Sequence, residues 1–117
     1  MTPDPISFAR GCGTKGPCAQ FVVQWLFIHG LSGGPSTREI YRDWRRLGVE
    51  AGVSSWCEKL GLTPCAPQPH AIALARQPQD AEDPLLGILT EDGLFVTRSF
   101  AKVLIVRDVD IVKAWRV

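Results

Sequence analysis

The sequence lacks any large imbalance of charge. Its 13 Lys and Arg residues are nearly offset by 12 Asp and Glu residues, which leaves a net charge of +1 at pH 7. Proteins that bind nucleic acid or an anionic membrane surface usually carry a marked excess of positive charge. We therefore expect no nucleic-acid partner and no electrostatic attachment to a membrane.

Long apolar runs are absent as well. The longest, FVVQWLFI at 21–28, contains Gln24 and is far shorter than the roughly 20 residues that span a bilayer. The N-terminal sequence MTPDPISFARGCGTKG has neither the basic nor the apolar region of a secretory signal. We expect no signal peptide, no membrane insertion, and synthesis in the cytoplasm, where the four cysteines stay reduced.

The chain of 117 residues has the length of one domain with its own core. Residues 1–15 are rich in Gly and Pro and predict an extended N-terminal arm, which leaves 16–117 as a single domain. Within that domain, apolar side chains recur every three or four residues and predict helices over 18–29, 36–47 and 49–60.

The second half of the chain has a different character. After a proline-rich connector at 62–69, short segments rich in β-branched and aromatic residues alternate with turn signals. These predicted strands are HAIALAR, LLGILT, LFVTRSF, KVLIVR and KAWRV. QPQDAEDP at 77–84 is predicted as an acidic loop, and Asp92-Gly93 as a two-residue hairpin turn. The order predicts an α+β fold, with N-terminal helices packed on a small antiparallel sheet.

Cys18 follows a Gly-Pro turn and opens the first predicted helix of the domain, where the helix dipole and unpaired amide groups stabilise a thiolate. A catalytic thiol also needs a histidine within hydrogen-bond reach. The chain has two histidines. His29 lies about 16 Å along the same helix and is predicted to cap or line its end. His70, which opens the first predicted strand, is the candidate base.

Several segments, taken in order, resemble the NlpC-type papain-like cysteine peptidases, and in particular small degenerate phage relatives of these enzymes. They are GPCAQFVVQW, PSTREIYRDWRRLG, PHAIALAR, PLLGILTEDGLFV and the terminal KAWRV. The resemblance implies a minimal NlpC-like domain with Cys18 at the nucleophile position. It also implies a catalytic histidine opening a central strand, in a His-apolar-Gly-apolar segment. The matching LLGI places Leu85 there, and leucine cannot accept a proton.

The resemblance implies a structural virion component of a phage tail tip or baseplate, assembled in the host cytoplasm without a cofactor. Such a protein has kept the peptidase fold and lost the catalytic base. Its expected partners are other tail-tip and baseplate proteins. We expect them to bind the N-terminal arm and an exposed edge strand, since unpaired strand edges are docking sites.

Two alternatives remain open. In the first, the protein is an active cysteine peptidase or amidase that cleaves peptidoglycan peptides while phage DNA enters the cell. Cys18 would attack the amide carbonyl, His70 would take the thiol proton, and the Ala19 amide would stabilise the oxyanion.

In the second alternative, the cysteines hold a metal ion. Cys12 and Cys18 are six residues apart, and Cys57 and Cys65 are eight apart, so neither pair forms a Cys-x-x-Cys knuckle. Cys12 nevertheless lies in a glycine-rich loop and Cys65 in the proline-rich connector, where the backbone can adapt. A zinc or iron–sulfur tail protein would bring all four sulfurs together.

Overall fold

A computed structural model describes residues 4–13, 16, 18–31, 37–77, 80–100 and 102–116, with the backbone alone at 37, 77 and 80–83. Among these residues, four helices precede six strands. The helices are α1 Pro5–Gly11, α2 Cys18–Ile28, α3 Thr37–Leu47 and α4 Val49–Lys59. The strands are β1 Thr63–Cys65, β2 Ile72–Gln77, β3 Asp80–Leu89, β4 Phe95–Ser99, β5 Lys102–Val106 and β6 Asp110–Arg116. The predicted α+β fold is confirmed.

The strands form one antiparallel sheet in the order β1-β6-β2-β3-β4-β5. Strands β2 to β5 follow one another as a meander. The last strand departs from that meander, because β6 returns across the sheet and pairs with β1 and β2. No helix in the described part of the chain is long and apolar enough to cross a membrane.

Alternation of side chains along the strands gives the sheet two apolar faces. One face packs against the helices and supplies the strand residues of the main core, which are Ile72, Leu74, Leu86, Ile88, Val96 and Trp115. The other face carries a smaller cluster built largely on alanine, namely Ala71, Ala73, Ala75, Leu89, Phe95 and Ala114. The described helices therefore cover one face of the sheet.

The extended arm predicted for residues 1–15 is wrong over its central part, because residues 5–11 form α1. The carboxylate of Asp4 accepts a hydrogen bond from the Ser7 backbone N–H at 3.1 Å, and Pro5 opens the helix. An Asp N-cap followed by Pro is a helix-start signal, which the Gly and Pro content of the segment masked. Helix α1 packs in the core through the fully buried Ala9, whose carbonyl accepts a hydrogen bond from Arg98 Nη1 at 2.8 Å.

The structure extends the sheet into two segments that were predicted as irregular. Three residues of the proline-rich connector form β1, because they pair with the end of β6. In the predicted acidic loop at 77–84, Gln77 ends β2 and residues 80–84 belong to β3, while 78–79 lie outside the described residues. Pairing with a neighbouring strand overrides the weak strand preference of acidic residues. Ser36, the predicted start of the second helix, also lies outside the described residues.

The hairpin predicted at Asp92-Gly93 joins β3 and β4, with one more loop residue than expected. The Thr90 backbone N–H donates to the Leu94 carbonyl at 2.9 Å, which leaves Glu91, Asp92 and Gly93 in the loop. Gly93 has a φ of 81°, the left-handed conformation that a three-residue hairpin loop places at its last position.

The buried carboxylate of Asp43, on α3, forms an ion pair with α4. Lys59 Nζ lies 3.3 Å from Oδ2, and Arg46 Nη2 lies 3.4 Å from Oδ1. Burial by itself raises the pKa of Asp43, but hydrogen bonds and charge from Lys59 and then Arg46 outweigh it, so that the pKa is lowered overall. The ionised form is therefore favoured in the folded protein.

We expect Asp43→Asn to lower stability at pH 7 and to flatten its acid dependence. Because the folded pKa lies below the unfolded value of about 4, the stabilising contribution is complete above that value and is lost as the pH falls through the folded pKa. Urea unfolding at a series of pH values should show the wild-type and variant curves converging below about pH 4. Asp92→Asn, in the exposed hairpin loop, is the control. Parallel curves for Asp43→Asn would contradict the assignment.

Gly87 lies where β3 passes under the Phe95 ring. A Cβ there would lie 2.5 Å from the Val96 carbonyl oxygen and 2.6 Å from Phe95 Cζ. We expect Gly87→Ala to lower the free energy of unfolding by about 1–3 kcal/mol, the usual cost of overpacking a core. Gly11→Ala, whose Cβ meets nothing within 4 Å, is the matched control and should leave stability nearly unchanged. Thermal or urea unfolding measures both.

Candidate functional site

Cys18 opens α2 against the central strand β3, and its side chain is buried with 6% exposure. The hydrogen-bond partners of its thiol are the backbone of Leu86 on β3, the hydroxyl of Tyr41 on α3, and the backbone at the start of α2. The Ala19 backbone N–H donates to the same Tyr41 hydroxyl at 3.4 Å. A phenol and amide groups surround the thiol, and none of its partners is a histidine.

Burial determines the protonation states of the Cys18 thiol and the Tyr41 hydroxyl. It raises the pKa of the Cys18 thiol, and the hydrogen bonds from Leu86, Tyr41 and the helix start, which lower the pKa, do not offset it. Burial, followed by the proximity of Cys18, also raises the pKa of Tyr41. Both groups are therefore neutral at pH 7, and the helix N-terminus does not produce a thiolate here.

His29 lies at the end of α2, as predicted. Its Nδ1 donates to the Trp25 carbonyl at 2.8 Å, and the two ring centroids are 4.6 Å apart. A side chain that donates to a carbonyl of the last turn caps the helix C-terminus. The predicted role of His29 is confirmed.

His70 precedes β2 and packs on the opposite end of α2 from Cys18. Its backbone N–H donates to the Leu89 carbonyl at 2.8 Å, and its ring meets Trp25 edge to face with centroids 5.8 Å apart. The backbone φ of 65° places His70 in the left-handed region, in the turn that leads into the central strand β2.

The structure does not bring Cys18 and His70 together, which corrects the hypothesis of His70 as the base. Trp25, the ring that His70 contacts, is seven residues from Cys18 and hence about 10 Å along the helix axis. Along β3, Leu89 beside His70 is three residues from Leu86 beside the thiol, which again amounts to about 10 Å. A general base must lie within about 3 Å of the proton that it takes.

Leu85, expected at the position of the family's histidine, is next in sequence to Leu86, whose backbone contacts the thiol. It lies opposite Ala75 of β2 and packs, half-buried, against both apolar clusters of the sheet.

The four cysteines lie in or beside four different elements of the fold. The Cys12 thiol, just beyond α1, donates to the Ala9 carbonyl at 3.8 Å. Cys57 is fully buried in α4, where burial raises its pKa to about 12 despite the opposing charge of Lys113. Cys65 lies on β1. Within the described residues, no three His, Cys, Asp or Glu side chains converge in a group that could hold a metal ion.

An open groove of about 740 Å³ lies between α4 and the sheet, away from Cys18. Arg76 and Lys113 project from the sheet side and Glu50 and Glu58 from the helix side, so the charges of its walls balance. Lys113 Nζ lies 3.2 Å from the Ser54 hydroxyl, which bridges the two walls. The groove and the thiol do not form a common site.

Comparisons of the chain with protein-family models, with curated proteins and with solved structures return no match. The resemblance to NlpC-type peptidases therefore stays a prediction from the sequence motifs.

Tyr41 is the site residue that sequence reasoning missed. It is the chain's single tyrosine, and it reaches the start of α2 from 22 residues away. Its ring also packs edge to face on Trp44, with centroids 4.6 Å apart. No local sequence pattern predicts such a contact, because the contact depends on how α3 packs against α2.

We expect the two buried thiols, Cys18 and Cys57, to alkylate in the native protein about two orders of magnitude more slowly than the half-buried Cys12 at pH 7. Timed iodoacetamide labelling with peptide-resolved mass spectrometry measures each rate. Tyr41→Phe removes a hydrogen bond that lowers the Cys18 pKa, so the alkaline rise of Cys18 labelling should move to higher pH. Labelling of Cys18 as fast as that of Cys12 at pH 7 would contradict the burial argument.

Proposed function

We propose that this chain is a structural virion component of a phage tail tip or baseplate, built on a papain-like scaffold without a catalytic base. The observation that supports it is the thiol of Cys18. It occupies the nucleophile position at a helix start, yet it is buried against Tyr41 and Leu86, with no imidazole among its partners. A chain with such a site keeps the fold of the enzyme but lacks the imidazole that would take the proton of the thiol.

The positions of both histidines favour the same function. Each is held by α2 packing, His29 through the Trp25 carbonyl and His70 through the Trp25 ring. Moving His70 to the thiol would require breaking its backbone hydrogen bond to Leu89 as well as its ring contact. Both histidine side chains therefore contribute to the packing around Trp25.

A protein of this kind acts through its surfaces. Because α1 packs on the domain through Ala9 and Phe8, the predicted arm is not a free docking segment over residues 5–11. The other predicted docking site, an edge strand, corresponds to β5, which pairs on one side only among the described strands. This edge is where we place the contact with neighbouring proteins of the virion.

Two measurements test the proposal. Purified virions of the phage that encodes the chain should contain it, as detected by mass spectrometry, and gold-labelled antibody should mark the tail tip. The purified chain should release no peptide fragments from peptidoglycan, and Cys18→Ser and His70→Ala variants should behave like the wild type. Absence from virions would overturn the structural role. Release of fragments that stops in Cys18→Ser would instead establish the peptidase.

A further inference from the structure

The outward face of α3 consists of arginine side chains. Four arginines of this helix are exposed, namely Arg38, Arg42, Arg45 and Arg46. Because three or four residues separate each from the next along the face, they lie on one side of the helix. The other side packs inward through the buried Ile40 and the half-buried Trp44. Helix α3 therefore presents a row of guanidinium groups to solvent, called here the arginine row.

The two acidic residues of α3 do not neutralise the arginine row. Asp43 is buried, and its carboxylate is held by two ion pairs, one of them to α4. Glu39 is half-buried in the first turn. Within the described part of the chain, the first three arginines of the row have no ion pair. Their positive charges are left to solvent or to a partner.

This arrangement costs stability within a single chain. Arg42 has a like charge four residues before it, at Arg38, and four residues after it, at Arg46, a spacing at which like charges repel. Arg38 also lies in the first turn of α3, at the positive end of the helix dipole. The last turn is different, because the dipole favours the cations Arg45 and Arg46 there. Helix stability thus explains the end of the row but not its beginning.

The chemistry of the row fits an acidic helix. A guanidinium group binds a carboxylate through two parallel hydrogen bonds. Along the axis of α3, Arg42 lies about 6 Å beyond Arg38, and Arg45 lies about 4.5 Å beyond Arg42. Carboxylates at positions i, i+4 and i+7 of a second helix have the same rises. Two such helices lying parallel can therefore form three ion pairs in register.

The rest of the chain disfavours a nucleic acid as the occupant. Without the four arginines of the row, nine Lys and Arg residues remain against 12 Asp and Glu residues. A nucleic acid extends well beyond the length of one row and would meet this excess of negative charge. A short acidic helix covers the row alone.

We propose that the arginine row of α3 is a docking surface for an acidic helix of a partner protein, whose carboxylates bind Arg38, Arg42 and Arg45. This surface is separate from β5, and the proposal does not rest on the proposed function. Binding at α3 is measured on the purified chain, whereas the virion role is measured on virions, so that either can fail without the other.

The probe is a synthetic helical peptide with Glu at positions i, i+4 and i+7, and the same peptide with Gln at these positions is its control. Exposed ion pairs are individually weak, so we expect a dissociation constant of about 1 mM at low salt. NMR of the arginine Nε–Hε groups follows the titration. The Glu peptide should shift the signals of Arg38, Arg42 and Arg45. The Gln peptide should not, and salt at about 1 M should abolish the shifts.

Two triple variants test the location. Replacing the first three arginines of the row by Gln should weaken binding of the Glu peptide about tenfold or more. The matched control makes the same change of charge at three exposed arginines elsewhere, with Arg76→Gln, Arg107→Gln and Arg116→Gln, and should bind as the wild type does. Circular dichroism checks that both variants are folded. Equal losses in the two variants would overturn the proposal.

A single variant tests the cost of the row. Arg38→Gln should raise the Tm by about 1–3 °C, because it removes a repulsion and a cation at the positive end of the helix dipole. A lowered Tm would make Arg38 a structural residue and would contradict the proposal. Absence of shifts with the Glu peptide at concentrations well above about 1 mM would also overturn it. Tighter binding of duplex DNA or of anionic lipid vesicles to the row would reject the acidic helix as the partner.

Discussion

Helix α2 has to be covered on most of its circumference, because six of its eleven residues are buried. Trp25 alone contacts Phe8 of α1, the His29 ring at its own helix end, and His70 at the start of β2. Burying an aromatic side chain of this size stabilises a fold by several kcal/mol, so the elements that cover it are held in place together. The sheet, α1 and the turn before β2 all depend on this one helix.

The same burial governs the chemistry at the start of α2. A thiol at a helix N-terminus becomes reactive when it is partly exposed beside a cation or an imidazole. Cys18 has the helix position, but the packing of α3 places the Tyr41 hydroxyl next to it and excludes water. Desolvation then outweighs the hydrogen bonds, and the thiol stays neutral. Cys57, buried in α4, shows the same effect without a helix start.

The faces and edges of the sheet are covered to different extents. Helices cover one face, alanine-rich packing closes part of the other, and β1 ends one side with three residues. Among the described strands, β5 pairs on one side only, and its middle carries no charge.

Local patterns in the sequence determined most of the secondary structure. Apolar periodicity predicted α2, α3 and α4, and short apolar segments between turn residues predicted β2, the second half of β3 and β4–β6, because these signals reflect interactions within a few residues. The N-cap of α1 at Asp4 was present in the sequence but was outweighed by the surrounding Gly and Pro. Only the tertiary structure decided which side chains meet. Tyr41 reaches Cys18 and His70 reaches Trp25 across long stretches of chain, β1 exists because β6 returns beside it, and the thiol is buried because of what packs over it.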